Sequence, residues 1–202
     1  MNAASVRCQG GHVKRKEKAA ETETALMEAA KRLFATRGYL NTKITDITAE
    51  AGRAAGSFYN HFSGKEELLE ALLADLAEAG DATASTEGHN PDFSDPAAIR
   101  FHVAGYWTFY RENAATMLAL RQASLVNEEF ARKLNQFTRE QLSDIAGHLA
   151  YVRNLPAKPE ASLTLLAATI DNFAQLRPEL SDEEAIEALT RFIYRGLNGT
   201  DY

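Results

Sequence analysis

Apolar side chains recur with a helical period in the first part of the chain, and single glycines interrupt them. Between residues 23 and 37 they lie three or four positions apart, which predicts a first helix that ends before Gly38. The same period predicts a short second helix over 44–51, which ends before Gly52. An aromatic-rich segment predicts a third short helix over 57–62. This succession indicates a small helical unit at the start of the chain.

The helical period continues to the end of the chain, and no segment has the pattern of a strand. A fourth helix is predicted over 65–79, where leucines share one face and glutamates the other. Residues 80–96 collect turn-forming residues, which predicts a loop at a domain boundary. Ser181 and Glu184 have the spacing of a capping box at the start of the last helix. The remaining predicted helices span 97–112, 114–126, 127–151, 160–176 and 182–197. The predicted fold class is therefore all-α.

Composition narrows the class of protein. The 202 residues are 45% hydrophobic and 25% charged, which is close to globular averages and excludes a disordered or fibrous chain. The longest near-continuous apolar run, 163–170, is far shorter than the roughly 20 residues that span a bilayer, so no membrane partner is expected. A single cysteine, Cys8, cannot form an internal disulfide, and the first residues lack the apolar stretch of a secretory signal. The expected location is the cytoplasm.

The charge is distributed unevenly. The whole chain carries a net charge of -6, which by itself argues against nucleic acid as a partner. Residues 1–75, however, carry 11 basic against 10 acidic residues, whereas residues 76–202 carry 11 against 18. Residues 7–18 alone have a net charge of +4. This basic arm is interpreted either as a contact to phosphates or as a solvated tail.

A helix, a tight turn at Gly52 and a second short helix form the arrangement that presents one helix to the DNA major groove. The segment AAKRLFATRGYLNTKITDITAEAGRAAGSFYNHFSGKEELL has this arrangement. Over residues 22–75 the chain resembles the N-terminal DNA-binding domain of the TetR family of transcriptional regulators. The remainder is similar to the family only in length and helical character.

The resemblance implies an all-α homodimeric regulator that represses transcription from a palindromic double-stranded DNA operator until a small-molecule effector releases it. It divides the chain into a basic flexible arm over 1–20, a helix-turn-helix domain over 21–66 and a helical effector-binding and dimerisation domain over 67–202. Matching positions imply DNA contacts from the following residues: Ala55, Gly56, Ser57, Tyr59, Asn60, His61 and Lys65. Thr45 joins them as a hydroxyl at the start of the second helix.

The chemistry of these residues agrees in part with that role. Ser57 and Asn60 are short polar groups that reach base edges, while Tyr59, His61 and Lys65 donate to phosphate oxygens. For Tyr59 and His61, packing against the small helical core is the alternative. We expect Phe34, Phe58 and Phe62 to form that core and not to contact DNA.

Several positions depart from the family pattern. Arg53 stands where the family has a small apolar core residue, Ala54 where a residue caps the third helix, and Ala55 where a polar side chain often touches DNA. Lys43 replaces the usual cap of the second helix. Because a lost cap costs about 1 kcal/mol, the domain should still fold. Arg53 itself is a candidate for an additional phosphate contact.

Aromatic and other large side chains are concentrated beyond residue 100. Aromatic walls with a few polar groups are typical of a small-molecule site, here for an apolar or aromatic effector. Plain packing of a helical bundle uses the same residue types, and this alternative stays open. The candidate effector-binding residues are Phe101, Trp107, Tyr110, Met117, Leu118, Gln122, Phe137, Asn172 and Phe173.

The resemblance assigns the homodimer interface to the last two helices, 160–176 and 182–197. Two apolar helices that pair with their symmetry mates form a four-helix interface with two-fold symmetry. The alternative is a monomer in which the apolar side chains all face inward: Leu163, Leu166, Ile170, Ile186 and Ile193.

Other function classes are less well supported. The histidines are widely spaced and none pairs with another at metal-ligand spacing, so no metal site and no cofactor are predicted. The chain has no phosphate-binding loop, no dinucleotide glycine pattern and no nucleophile elbow, so it is not predicted to be an enzyme. The alternative function is a helical ligand-sensing or adaptor protein with weakened DNA binding.

Overall fold

The computed structural model describes residues 5–84, 89–176 and 179–199, and within these ranges the regular elements are helices without a strand. The predicted all-α class is thereby confirmed. The helices are α1 (Ser5–Arg37), α2 (Ile44–Glu50), α3 (Ala55–Phe58), α4 (Lys65–Ala84), α5 (Pro96–Val126), α6 (Glu128–Asp144), α7 (Pro159–Leu176) and α8 (Asp182–Asn198), with a 3-10 helix over Ala146–Tyr151 between α6 and α7.

The first helix is longer than the sequence pattern predicted. It begins at Ser5, so residues 5–20, which were predicted to be a flexible arm, are helical and continuous with the rest of α1. The chain has neither glycine nor proline from residue 12 to residue 37, so no helix-breaking residue interrupts this stretch. The apolar period begins only at Leu26, and the preceding residues 15–25 are exposed or only partly buried, so they do not pack in a core.

Two predicted helices merge into α5. Asn113 was expected to separate them, but it lies inside the helix with φ −113° and ψ 15°, a local departure from helical geometry. Its side-chain amide donates to the carbonyl oxygen of Phe109 at 2.9 Å, and such a bond within the preceding turn bends a helix without ending it. The predicted helix over 127–151 divides instead into α6 and the 3-10 helix.

Two apolar cores are buried, and α5 contributes to both. The first, called the head core, joins α1–α4 to the second half of α5 and to α6, and the second, called the body core, joins the first half of α5 to α7, α8 and the 3-10 helix. The buried head-core side chains include Leu26, Phe34, Tyr39, Ile47, Phe58, Phe62, Leu68, Leu69, Leu72 and Phe130. The buried body-core side chains include Phe93, Ile99, Val103, Trp107, Tyr110, Leu163, Ile170, Leu189 and Ile193.

None of the helices in the described ranges combines the length and apolar character needed to cross a membrane.

Candidate nucleic-acid interface

The turn between α2 and α3 depends on one glycine. Gly52 has φ +64°, which a residue without Cβ adopts at no steric cost. The backbone N–H of Gly52 donates to Ala49, and that of Arg53 to Thr48 at 2.8 Å, so the carbonyls at the end of α2 are satisfied. α3 follows three residues later at Ala55, so only this short hydrogen-bonded turn separates it from α2.

The caps of these two helices use the backbone. Lys43 is the N-cap of α2, and its ammonium has no acceptor to offer the first N–H groups of the helix. Its own backbone N–H donates to Asp46 Oδ2 at 3.0 Å. Ala54, the N-cap of α3, has no side-chain acceptor at all. α3 is a single four-residue turn, shorter and earlier than the predicted 57–62. The backbone N–H groups of His61 and Phe62 both donate to the carbonyl oxygen of Phe58 at 2.9 Å, so a hydrogen-bonded turn continues beyond the end of α3.

The outer side of α3 and its following turn is open to solvent. Ala55, Gly56 and Asn60 are exposed, Tyr59 is 63% exposed, and Ser57 is partly buried. Thr45 is also exposed, at the first turn of α2. The inner side is apolar: Phe34, Phe58 and Phe62 are buried, which confirms their predicted scaffold role. The sequence thus presents small and hydrogen-bonding groups on one side of a rigid aromatic base.

His61 faces α1. Its side chain is only 11% exposed, and Nδ1 lies 3.4 Å from Glu23 Oε2. The imidazole also contacts the neighbouring ring of Phe62, with centroids 6.3 Å apart. These contacts with Glu23 and Phe62 support the packing role for His61, the alternative that the sequence left open.

Lys65 holds the connection between α1 and α2. Its Nζ donates to the carbonyl oxygens of Tyr39 at 2.9 Å and Thr42 at 2.8 Å, and it lies 4.1 Å above the Tyr39 ring. Burial lowers the pKa of the Lys65 ammonium, against the opposing effect of the Glu66 carboxylate. Two of its three N–H donors are thus used inside the head, so a phosphate contact from Lys65 remains a prediction.

Arg53 has an unusual environment. It lies at the turn between α2 and α3, and its residue surface is partly buried. Its Nε is buried without a hydrogen-bond partner among the described residues. An unpaired buried donor of this kind costs free energy, which an acceptor that reaches the Arg53 Nε would offset.

The predicted effector-binding residues divide between several surroundings. Trp107, Tyr110 and Phe173 lie in or against the body core, where the rings of Trp107 and Phe173 are 6.1 Å apart. The indole N–H of Trp107 donates to Asp182 Oδ1 at 3.0 Å. Met117 packs against both cores.

Gln122 has a role that the sequence did not indicate. Its Oε1 accepts a hydrogen bond from the backbone N–H of Tyr39 at 2.9 Å. A Cβ on Gly38 would lie 3.3 Å from the same Oε1, so the glycine allows the amide to approach the chain. Gln122 is therefore a polar link between α5 and the turn that follows α1.

The remaining predicted residues lie elsewhere. Leu118 is 43% exposed, and Asn172 is exposed with its amide donating to the carbonyl oxygen of Ala168. Phe137 is partly buried on α6, and the Phe101 ring contacts the imidazoles of two histidines. Their assignment to an effector site remains a prediction.

A surface groove of about 460 Å³ lies between the start of α5 and α8. Its cationic side chains are Arg100, Arg191 and Arg195, of which Arg100 pairs with Glu183 and Arg191 with Glu187, each at 2.6 Å. The α8 arginines escaped sequence reasoning because a helical period does not show which neighbouring helix supplies the other wall of a groove.

Comparisons with known proteins agree with this geometry. The family described as "Bacterial regulatory proteins, tetR family" matches residues 26–72, from α1 into α4. The HTH-type transcriptional regulator TtgR of Pseudomonas putida is 42% identical over 81 residues, which are 40% of this chain and 38% of TtgR. The chain therefore matches less than two fifths of that relative's length.

More distant proteins align with more of the chain. The HTH-type transcriptional regulator EthR of Mycolicibacterium smegmatis is 22% identical over 190 residues, 89% of this chain and 88% of EthR. The crystal structure of the transcriptional regulator FadR from Bacillus subtilis in complex with stearoyl-CoA has a TM-score of 0.72 and 17% identity, and covers 86% of this chain and 98% of that one. At this identity the likeness concerns the fold. Residues 26–72 thus match the helix-turn-helix segment of the tetR family of bacterial regulatory proteins.

Proposed function

We propose that the protein is a DNA-binding transcriptional regulator, a repressor that a small-molecule effector releases from its operator, and not an enzyme. The observation that carries this proposal is the solvent-exposed side of α3 on a rigid aromatic base, within the segment that matches the tetR family. Its site of action is the cytoplasm, as the single cysteine predicts.

Base edges would be read by Ser57 and Asn60, and Tyr59 would donate to a phosphate oxygen. Gly56 lets the backbone approach the DNA closely. Arg53 is a further phosphate ligand in this proposal because its Nε has no partner inside the protein's described part. Lys65 would stabilise the helix-turn-helix from inside the protein, because its Nζ donates to the carbonyl oxygens of Tyr39 and Thr42.

The protein would act as a homodimer through α7 and α8. The inward residues Leu163, Ile170 and Ile193 are already buried in one protomer, so they do not supply this interface. Large apolar side chains remain on the outer faces, with Leu165 57% and Phe192 66% exposed. Paired across a two-fold axis, such faces give an isologous interface. Two heads would then enter successive major grooves about 34–36 Å apart.

Dimerisation is tested with Phe192→Arg. A charge at this position would oppose its own symmetry mate, so we expect a monomer at concentrations where the wild type sediments as a dimer. Leu125→Arg is the control because Leu125 is 84% exposed and lies on α5, outside the two helices proposed to form the interface. Equal dimerisation of both variants and the wild type would contradict the assigned interface.

Effector coupling would use α5. This helix carries Trp107 in the body core, and its other half carries Gln122, which accepts from Tyr39 in the head. A ligand that binds one arrangement of α5 more tightly than another would change the spacing of the heads. Only that difference in affinity shifts the equilibrium between the two arrangements of α5.

We propose an apolar or aromatic effector because the body core around Trp107 consists of apolar and aromatic side chains. Since the related fold of FadR from B. subtilis was solved with stearoyl-CoA, long-chain acyl-CoA compounds are the first to test, followed by aromatic compounds.

The decisive experiment selects the DNA fragments that the purified protein binds from the fragmented genome of its source. The best fragment is then titrated at several salt concentrations. We expect a short inverted repeat bound by a dimer, with affinity that falls steeply with salt because released counterions contribute to binding. A folded dimer that enriches no fragment would favour the ligand-sensing or adaptor alternative.

The same titration tests Arg53. Loss of one phosphate contact lowers the salt slope by about one unit, so Arg53→Val should bind the fragment with a shallower slope than the wild type. An unchanged slope would remove Arg53 from the DNA contacts.

A further inference from the structure

Three imidazoles lie together beside the body core. The ligating nitrogens of His89, His102 and His148 all lie within 4.8 Å of one another. The Nε2 atoms of His89 and His148 are 2.9 Å apart, and the ring centroids within the trio are 4.9–5.2 Å apart. The sequence predicted no metal site because these residues are 13 and 46 positions apart along the chain. The tertiary fold brings these three residues together in space.

The three rings come from different segments of the body. His89 lies in the connection that leads into α5, His102 lies on the second turn of α5, and His148 lies in the 3-10 helix. Phe93 packs against two of them, with ring centroids 5.0 Å from those of His102 and His148. Phe101 closes another side, 6.2 Å from His89. Solvent exposure increases from the buried His148 to the exposed His89. The rings of Phe93 and Phe101 form an apolar side of this cluster.

The outer nitrogen of one ring is already oriented. Nδ1 of His102 lies 2.9 Å from the carbonyl oxygen of Ala98, which accepts a hydrogen bond from Nδ1–H in the tautomer that leaves the Nε2 lone pair free. Metal-binding histidines are oriented in this way by a backbone carbonyl on their far side.

We propose that His89, His102 and His148 form a binding site for a divalent transition-metal ion of the zinc class. Imidazole nitrogen is a preferred ligand of zinc and its neighbours, and three protein ligands leave a fourth position for water or an exogenous group. Zinc–nitrogen bonds of about 2.0–2.1 Å hold tetrahedral ligands about 3.3 Å apart, so the most distant pair here closes by about 1.5 Å. Binding would require the imidazoles to rotate to this spacing, and the exposed His89 is the least confined of the three.

The bound ion would connect the entry to α5 with the 3-10 helix that precedes α7. It would therefore stabilise the body by joining segments far apart in sequence. This property does not depend on the proposed regulatory function, so DNA binding and metal binding can fail separately.

The test uses full-length protein without a polyhistidine tag, stripped with a chelator. Co²⁺ is added first because its visible absorption reports tetrahedral coordination, and Zn²⁺ is then used to displace it. We expect one ion per protomer, a tetrahedral Co²⁺ spectrum, and a higher melting temperature with Zn²⁺ than without it.

His89→Gln is the deciding variant because this side chain is exposed and its replacement leaves the core intact. We expect it to weaken Zn²⁺ binding by more than about tenfold, and His102→Gln to do the same. His61→Gln removes an imidazole outside the trio and should bind Zn²⁺ as the wild type does. The double variant Cys8→Ser, His12→Gln removes the other thiol and imidazole near the N-terminus and should also bind normally.

The opposite results overturn the proposal. Wild-type affinity in a folded His89→Gln protein would leave the trio as a hydrogen-bonded histidine cluster. Loss of binding in the Cys8→Ser, His12→Gln variant would move the site to the N-terminus. Absence of saturable binding to the wild type would remove the site altogether.

Discussion

The head core and the body core meet along one helix, yet their residues come together in different ways. The head core is assembled mainly from α1–α4, which are consecutive, and α5 and α6 complete it with the buried residues Ala119, Leu120, Ala123 and Phe130. The body core joins the first half of α5 to α7 and α8, which are 50 or more positions away. The head is therefore encoded locally and the body by long-range packing.

The boundary between the two cores lies inside α5. Ile99, Val103 and Trp107 face the body core, whereas Leu120 and Ala123 face the head core. Asn113, with its non-helical dihedral angles, lies between these sets. A helix shared by two cores transmits a change in one to the other, and a local bend is where the halves can differ.

The largest expected effect is on the body core. Trp107→Ala removes a buried indole and should lower the free energy of unfolding by about 3–5 kcal/mol. Leu125→Ala, at a position 84% exposed, should change it by less than about 0.5 kcal/mol. Urea denaturation measures both.

The same variant sharpens the division of roles. At a temperature where it remains folded, Trp107→Ala should weaken the effector response more than operator affinity. Equal loss of the two would indicate a folding defect and would argue against separate head and body functions.

The link between the regions is tested at Gln122. Gln122→Leu leaves the backbone N–H of Tyr39 without its acceptor and should cost about 1–3 kcal/mol of stability. It should also reduce the effect of the effector on DNA binding. Gln136→Leu, at an exposed position on α6, is the matched control. A normal effector response in Gln122→Leu would show that coupling does not use this contact.

Surface and support residues of the head should behave differently. Asn60→Ala should weaken operator binding by about 1–3 kcal/mol, as expected for a lost base contact, and leave the unfolding curve unchanged. Lys65→Met should instead lower stability, because it removes the donor to Tyr39 and Thr42. Band shifts and thermal melts on both variants separate the roles. A reduced salt slope in Lys65→Met would restore it as a phosphate ligand.

The smallest expected effect concerns the start of α8. Hydrogen bonds from the Ser181 hydroxyl and backbone N–H lower the pKa of Glu184 below its ordinary 4.5. A carboxyl whose pKa is lowered by folding stabilises the protein above its unfolded pKa, and this contribution is lost as pH falls through the folded pKa. Glu184→Gln should therefore make stability less dependent on pH below about 5. Urea midpoints at pH 7 and at acidic pH test this, and parallel shifts in variant and wild type would contradict it.

Much of the head followed from the sequence. The helical period and the glycines predicted α2 and α4, and the packing of Phe34, Phe58 and Phe62 was as expected. The length of α1 was not predicted, because an apolar period marks only the part of a helix that packs. The roles of His61 and Lys65 were also not determined, since their partners Glu23 and Tyr39 lie more than 20 residues away.

In the body, the sequence predicted helices and the capping box at Ser181, but not which side chains meet. The period of a helix tells which residues share a face, and this is a local property of the backbone. The partner of that face depends on how distant helices pack. For this reason the sequence alone determined the all-α class and the helix-turn-helix, whereas only the tertiary structure brought Gln122 to Tyr39 and gathered His89, His102 and His148.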